Sequence, residues 1–528
     1  MKLDTFLHSC LILALSHSTG AVDPLVDLGY SKYRGRVVGD GTSQWLGIRY
    51  AAPPLGQLRF AAPQNPPEKM EVQDASKFGS ICLPKDPTDW TMRPNPRFTP
   101  AEDCLFLNVF APSSATTESK LPVMLFIQGG GFGSNSNANY NGSDLAREGN
   151  MVVVSINYRV GPYGFLQSRE VEKGGSLNNG MKDQIKALEW VRDNIEKFGG
   201  DPEHVVLNGD SAGASSIVIL LVSPVMRYSK LFIGAISESA SEPALRTMAQ
   251  GQEQYNCLLN ATGCYYSTNS LTCLRSLNAT KLQTTNCRFN PHIDDDIIPD
   301  TTFRQFEKGE YKRVPTIFGS CTDEGTKYAP QNADTIEDAN AFFLNQCPSL
   351  SNSSLQWLDK AYINQSAPVF PNSGRLWRQA SNAIGDFRSH CVDNFYQSIL
   401  ARDGQPTWSY RYGVLDADQE ARGFGAYHTI ELYAVWGPTN TDGNPPKSYN
   451  STNAGIVPVV RSYWTSFIRH LDPNVGRKEG CPVWEKWEDG ERLLFVTNGT
   501  KMERMGDEQK RRCEVLGADD EGAGAGAA

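Results

Sequence analysis

The sequence is short of what several protein classes require. Among its 528 residues no apolar run reaches the roughly 18 needed to span a bilayer as a helix. No Cys-x-x-Cys pair and no histidine cluster with zinc spacing occurs, and there are only seven histidines in all. Positive charge is scarce too. Against 59 Asp and Glu stand 50 Lys and Arg, and the net charge of −9 is a poor match for a phosphate backbone. These shortages argue against a transmembrane anchor, a metal site and a nucleic-acid partner. What is present is ordinary globular material, 40% apolar and 21% charged, which argues against disorder. The length allows two to four domains, or one large α/β unit with insertions.

Residues 1–21 read as a secretory signal. Lys2 supplies the charge, Phe6 to Leu15 a short apolar core, and Thr19-Gly20-Ala21 a small-residue cleavage site. At the other end, 514–528 carry an acidic cluster and a Gly/Ala run with no apolar period, so a disordered tail is expected there. The folded unit is then expected over 22–513. Asn-X-Ser/Thr acceptor sites at Asn141, Asn260, Asn278, Asn352, Asn364, Asn450 and Asn498 agree with a secreted, extracellular glycoprotein. Of twelve cysteines, Cys10 lies in the signal, so at least one of the other eleven is unpaired. The spacings of Cys82 to Cys104 and of Cys264 to Cys273 would each close a local loop, although spacing alone does not fix connectivity.

Four β-rich apolar runs each end in a glycine-marked turn. They are Leu121–Gln128 before Gly129-Gly130-Gly131, Val152–Tyr158 before Gly161, His204–Asn208 before Gly209, and Val314–Phe318 before Gly319. Continuous rather than alternating apolar runs indicate strands buried on both faces. Met181–Phe198 between them has a helical period, with Ile185, Leu188, Trp190, Val191 and Ile195 on one broad side. Strand, helix, strand in this order predicts an α/β fold with a mostly parallel sheet, whose ligands bind at the strands' carboxyl ends.

Ser211, in Gly209-Asp210-Ser211-Ala212-Gly213, is the candidate nucleophile. A β-rich strand precedes it and the apolar stretch Ala214–Val222 follows, the context in which a tight turn lifts a hydroxyl above the sheet. Such a serine needs a histidine base oriented by a carboxylate, met along the chain in the order serine, acid, histidine. His204 precedes the serine. His390 and His470 lie in helical patterns, and His292 sits in a charged loop beside Pro291. Elimination favours His428, which follows the glycine-rich Gly423-Phe424-Gly425. Asp323 and Glu324 both follow the fourth strand, and the residues alone do not separate them. Gly129-Gly130-Gly131 supplies backbone N–H groups that, with Ala212, suit an oxyanion hole. It lacks the Lys-Ser/Thr ending of a phosphate loop, no dinucleotide fingerprint occurs, and no cofactor is called for.

Several long stretches resemble the type-B carboxylesterase/lipase family, whose relatives include cholinesterases and fungal lipases of the α/β-hydrolase fold. They are Tyr50–Pro63, Glu102–Pro112, Asn157–Leu166 and Asn178–Gly213, within a likeness running from about Gly35 to about Asn474. The resemblance implies a triad of Ser211, Glu324 and His428, and oxyanion donors at Gly130, Gly131 and Ala212. It also implies disulfides Cys82–Cys104 and Cys264–Cys273, and a supporting role for Ser239. Asp210 stands where the family usually has Glu, and Gln128 where His or Tyr is common. Cys321 is the candidate for the odd thiol. The expected activity is hydrolysis of a soluble, small or medium-sized carboxylic ester through an acyl-enzyme. The segment from Cys82 to Cys104, with Trp90 and Phe98, resembles the lid or gorge loop of relatives, but its modest length leans away from a large interfacial lid. The alternatives are an interfacial triacylglycerol lipase and a non-catalytic cholinesterase-like binding protein.

Overall fold

The fold is described from a computed structural model, over residues 21–85, 99–134, 137–241, 245–283, 285–347, 350–441 and 445–518. The expected signal up to residue 20, Trp90, Phe98 and the stretch after 518 lie outside the described residues.

The runs read as strands become the centre of one sheet. In chain order its strands are β1 (Arg36–Val38), β2 (Thr42–Arg49), β3 (Phe106–Pro112), β4 (Leu121–Ile127), β5 (Val152–Ile156) and β6 (Gly200–Asp210). There follow β7 (Gly234–Glu238), β8 (Thr316–Cys321), β9 (Thr407–Tyr412), β10 (Glu491–Phe495) and β11 (Lys501–Arg504). The eleven strands lie in the order β11-β10-β9-β8-β7-β6-β4-β5-β3-β2-β1. Pairing is parallel from β5 through β4, β6, β7, β8 and β9 to β10, and antiparallel at both flanks. With helices on both faces, this is the α/β-hydrolase arrangement.

Alternation along each strand explains why the runs are apolar throughout. Val123, Leu125 and Ile127 of β4 join one core, with Val152, Val154, Val205 and Leu207. Met124, Phe126, Val153 and Val206 join the other. The first core is covered by helices 179–194, 212–222 and 391–402, and the second by helix 456–470, whose Trp464 and Phe467 are fully buried. The helical pattern expected over 181–198 is an α-helix to Asn194 that tightens into a 3₁₀ turn over Ile195–Phe198 and stops at Gly199, φ 86°. The left-handed Gly199 provides the C-terminal stop that a residue with Cβ would resist.

The carboxyl end of the chain corrects one expectation. Residues 514–518, assigned to a disordered tail, continue the helix Asp507–Ala518. Two anchors outweigh their weak apolar pattern: a disulfide from Cys513 to Cys391, and Arg512 Nε donating to Asp386 Oδ2 at 3.0 Å. Cys82–Cys104 and Cys264–Cys273 are bonded, and Cys257–Cys287 is a further pair. Cys321 is a buried free thiol, and Cys481 is also free. Among the described residues no group of His, Cys, Asp and Glu could hold a metal ion, and no helix is long and apolar enough to cross a membrane.

Candidate active site

Three turns at the carboxyl ends of parallel strands meet over the middle of the sheet. The first links β6 to the helix Ala212–Val222. Ser211 occupies it with φ 53° and ψ −121°, a strained conformation that turns the side chain out of the sheet. Its N–H donates to the Glu238 carbonyl at 2.8 Å. The flanking glycines are demanded by contact. A Cβ on Gly213 would lie 1.9 Å from the Ile127 carbonyl oxygen, and one on Gly209 would lie 2.8 Å from the Gly213 backbone. Both obstacles are main chain and cannot swing aside. Gly213→Ala should therefore lose stability at or beyond the top of the ~1–3 kcal/mol range for overpacking, read as a lower denaturant midpoint, with activity falling in step.

The second turn carries the acid. β8 ends at Cys321 and the chain passes Thr322 and Asp323 into a 3₁₀ turn at Glu324. The third is the loop before His428, tied to the second by backbone. Asp323 N–H donates to the Ala426 carbonyl at 2.9 Å, and Ala426 N–H returns to Asp323 Oδ2 at 2.8 Å. Arg378 pairs with the other oxygen of Asp323. The two neighbouring carboxylates thus have separate tasks. Asp323 fastens the histidine loop, while Glu324, fully buried, reaches His428 Nδ1.

On its other side, His428 Nε2 lies 2.8 Å from Ser211 Oγ. The Glu324 carboxylate can only accept, so Nδ1 carries the proton and Nε2 is left to accept from the serine hydroxyl. Burial disfavours the charged ring, but the Glu324 charge and hydrogen bond outweigh it, and the His428 pKa is raised above the ordinary value. Burial likewise opposes the Glu324 anion, and the facing ring more than compensates, holding its pKa below the usual carboxylate range. Ser211 and His428 stay partly accessible.

The glycine triplet is packed onto the serine turn. Gly129 N–H donates to Asp210 Oδ1 at 2.9 Å, and a Cβ on Gly129 would touch both Asp210 and Ser211. Gly130 and Gly131 have φ 110° and 59°. The Gly130 carbonyl turns back to accept from Gly133 and Ser134 N–H groups at 3.0 and 3.1 Å. Among the described residues, the N–H groups of Gly130, Gly131 and Ala212 donate to no backbone oxygen. Asp210 is fully enclosed, and burial pushes its pKa up to about 7 despite the Gly129 N–H. Gln128 lies buried beneath this loop, its carbonyl accepting from Tyr158 Oη at 3.0 Å.

Two groups near the site escape sequence reasoning. Glu431, three residues after His428, is fully buried. It accepts from Ser239 Oγ at 2.8 Å, Tyr410 Oη at 3.2 Å and the Cys321 thiol at 2.8 Å. Burial and the nearby Glu324 charge push its pKa up. Ser239 thus bonds this second carboxylate, and it is also among the groups that lower the Glu324 pKa. The available signal was one acid inside the apolar run Ile430-Glu431-Leu432. Tyr328, one turn after Glu324, sets its ring 5.1 Å from the His428 ring, and nothing in its sequence neighbourhood marks it. The discounted histidines lie elsewhere. His204 contacts the Ile468 carbonyl, His292 is buried with its pKa lowered to about 3 by desolvation, and His470 ends the helix 456–470. His390 is buried behind the acid turn.

Comparisons with known proteins give the family and the fold. A model described as the Carboxylesterase family matches residues 22–515, farther at both ends than the stretch of resemblance in the sequence. The para-nitrobenzyl esterase of Bacillus subtilis is 32% identical over 92% of this chain and 98% of its own. The secreted triacylglycerol lipase LIP1 of Gibberella zeae is 28% identical over 90% of this chain and 87% of its own. Among solved structures, Aspergillus niger EstA superposes with a TM-score of 0.89 at 37% identity, covering 96% of this chain and 99% of that one.

Proposed function

The chain belongs to the carboxylesterase family and hydrolyses carboxylic esters, and from that premise we propose that Ser211 is the nucleophile, His428 the general acid and base, and Glu324 the carboxylate that orients it. The observation that carries this reading is the unbroken line from Glu324 through His428 to Ser211 Oγ, whose last link is 2.8 Å. His428 Nε2 removes the hydroxyl proton as Ser211 Oγ attacks the ester carbonyl carbon. The carbonyl electron pair moves onto oxygen, where the Gly130, Gly131 and Ala212 N–H groups receive it. The tetrahedral adduct collapses and the alkoxide leaves with the proton from His428. Water then attacks the acyl-enzyme by the same route, returning Ser211 and releasing the acid. A fluorophosphonate probe tests this. Peptide mapping should find one adduct, on Ser211, with activity lost in proportion, and an adduct elsewhere would overturn the assignment.

The raised His428 pKa fixes the sign of the acid limb. The base works only when neutral, so kcat/KM falls as pH drops through its pKa, which lies above the ordinary value of about 6.5. Asp210, its pKa pushed up to about 7 by burial, carries a charge that supports protonated His428. Asp210→Asn should move the limb toward lower pH, measured as kcat/KM on a dissolved p-nitrophenyl ester.

The substrate is a soluble ester of small or medium size, and the catalytic unit spans about 22–513, with the helix to 518 docked on it. The signal at the amino end and the acceptor asparagines support a secreted glycoprotein. Asn260, Asn278, Asn352, Asn364, Asn450 and Asn498 are exposed. Asn141 is the poorest acceptor of the seven, half-buried with Oδ1 bonded to Ser143. A glycosidase-sensitive mass in the culture medium would test this.

A further inference from the structure

Behind the acid turn lies a buried histidine that the reaction does not use. His390 is 7% exposed. Its Nδ1 is 3.0 Å from Asp386 Oδ1 and its Nε2 is 2.8 Å from the Cys321 carbonyl oxygen. Both partners are acceptors only. A neutral imidazole has one N–H, so its bare nitrogen would set a lone pair against an oxygen. Only the imidazolium, with two donors, satisfies both contacts.

The residue it holds is the one from which the acid is hung. Cys321 ends β8, its N–H donates to Glu324 Oε1 at 2.6 Å, and its thiol donates to Glu431. The acid turn packs against the helix Trp377–Gly385, where a Cβ on Gly325 would lie 1.9 Å from the Ser381 carbonyl oxygen, and beside that contact, on the side of the ring, it borders open space. A polar cavity of about 330 Å³ is bordered there by Asp323, Glu324, Arg378, Asp386, His390 and Arg512. On that side it is the His390 contact that reaches the strand end. Asp386 is itself over-determined, accepting from Tyr362 Oη at 2.9 Å, Gln509 Nε2 at 2.6 Å and Arg512 Nε at 3.0 Å. It provides a rigid post from which the imidazolium reaches the strand end.

We propose that His390, as a buried imidazolium bridging Asp386 and the Cys321 carbonyl, is a positioning residue that fixes the Glu324 carboxylate against His428. Its charge also lies behind the Glu324 anion and favours the ionised form that the reaction uses. Burial opposes the charged ring, and the Asp386 contact outweighs it, so the His390 pKa is raised. The other groups around the ring are Asp393, driven toward its neutral form by burial, and Arg512, paired with Asp386. The proposal rests on the Ser211–His428–Glu324 reading, and the test keeps the two apart.

The experiment compares His390→Gln with Glu324→Gln, expressing kcat per site titrated by a fluorophosphonate. For His390→Gln, kcat per titrated site should fall about 10- to 100-fold, the size of a ~1 Å misplacement, with KM nearly unchanged. The acid limb should move to higher pH, because a buried positive charge near the Glu324–His428 pair is gone. Retention of kcat, or loss of kcat with the limb unmoved, overturns the proposal. If Glu324→Gln also retains kcat, the triad reading itself fails. If His390→Gln does not fold, ¹⁵N-histidine NMR of the His428→Ala protein at about pH 8, above the ordinary histidine range, decides. One solvent-shielded ring protonated on both nitrogens is expected, and rings that are all singly protonated overturn the proposal.

Discussion

Ser211→Ala is expected to lower kcat on a p-nitrophenyl ester by a factor on the order of 10⁶, with KM little changed and the fold intact. The substitution removes one oxygen at a site where nothing else can take its place. Among the described residues no other hydroxyl bonds His428 Nε2, and Ser215, one helical turn on, donates instead to the Ser211 and Ser241 carbonyls. The strained turn should survive, because its φ of 53° is imposed by the flanking glycines and by the Glu238 carbonyl rather than by the hydroxyl. Residual turnover should remain about 10³–10⁴ above water, because the backbone donors and the ester pocket are untouched. Burst kinetics with the unmodified enzyme and their absence in Ser211→Ala would separate a lost acyl-enzyme from a lost binding site. A variant retaining a tenth of the activity would show that acyl transfer does not pass through this oxygen.

Local chemistry wrote part of this site into the sequence. The serine turn is legible because its signature is contiguous, a strand before, glycines on both sides and an apolar helix after, even though the backbone that leaves Gly213 no room, at Ile127, is distant along the chain. The central strands are legible for a similar reason, since burial on both faces leaves an unbroken apolar run. The choice between Asp323 and Glu324 is not legible locally. It depends on Ala426 and Arg378, which lie about 100 and 55 residues along the chain. The same holds for His390, whose helical context hides a role set by Asp386 on its own helix and by Cys321 at a strand end. Glu431 stands in an apolar run, yet its three donors come from β7, β8 and β9 or the turns that follow them. The tail reading gives way over 514–518 alone, because a disulfide at Cys513 and an ion pair at Arg512, both long-range, override a polar composition.

Glu324→Gln should cost about 10⁴-fold in kcat, the scale seen when an orienting carboxylate becomes its amide. The loss follows from hydrogen-bond polarity alone. Glu324 Oε1 accepts from Cys321 N–H at 2.6 Å, while Oε2 accepts from His428 Nδ1. An amide has one acceptor and one donor end. Keeping its oxygen on the buried Cys321 N–H avoids an unsatisfied backbone donor, worth ~1–3 kcal/mol. The NH₂ group then faces His428 Nδ1 and makes it an acceptor. The ring must move its proton to Nε2, the atom that should receive the serine proton, so the base is disabled without displacement of a heavy atom. Two readouts distinguish this tautomer trap from misfolding. The thermal midpoint should change little, and the alkaline part of the pH profile should rise, as hydroxide substitutes for the missing base. Glu324→Asp keeps two acceptors but draws them back by one methylene, so it should retain more activity than the amide. An amide variant as active as Glu324→Asp would mean that this carboxylate does not set the histidine's proton.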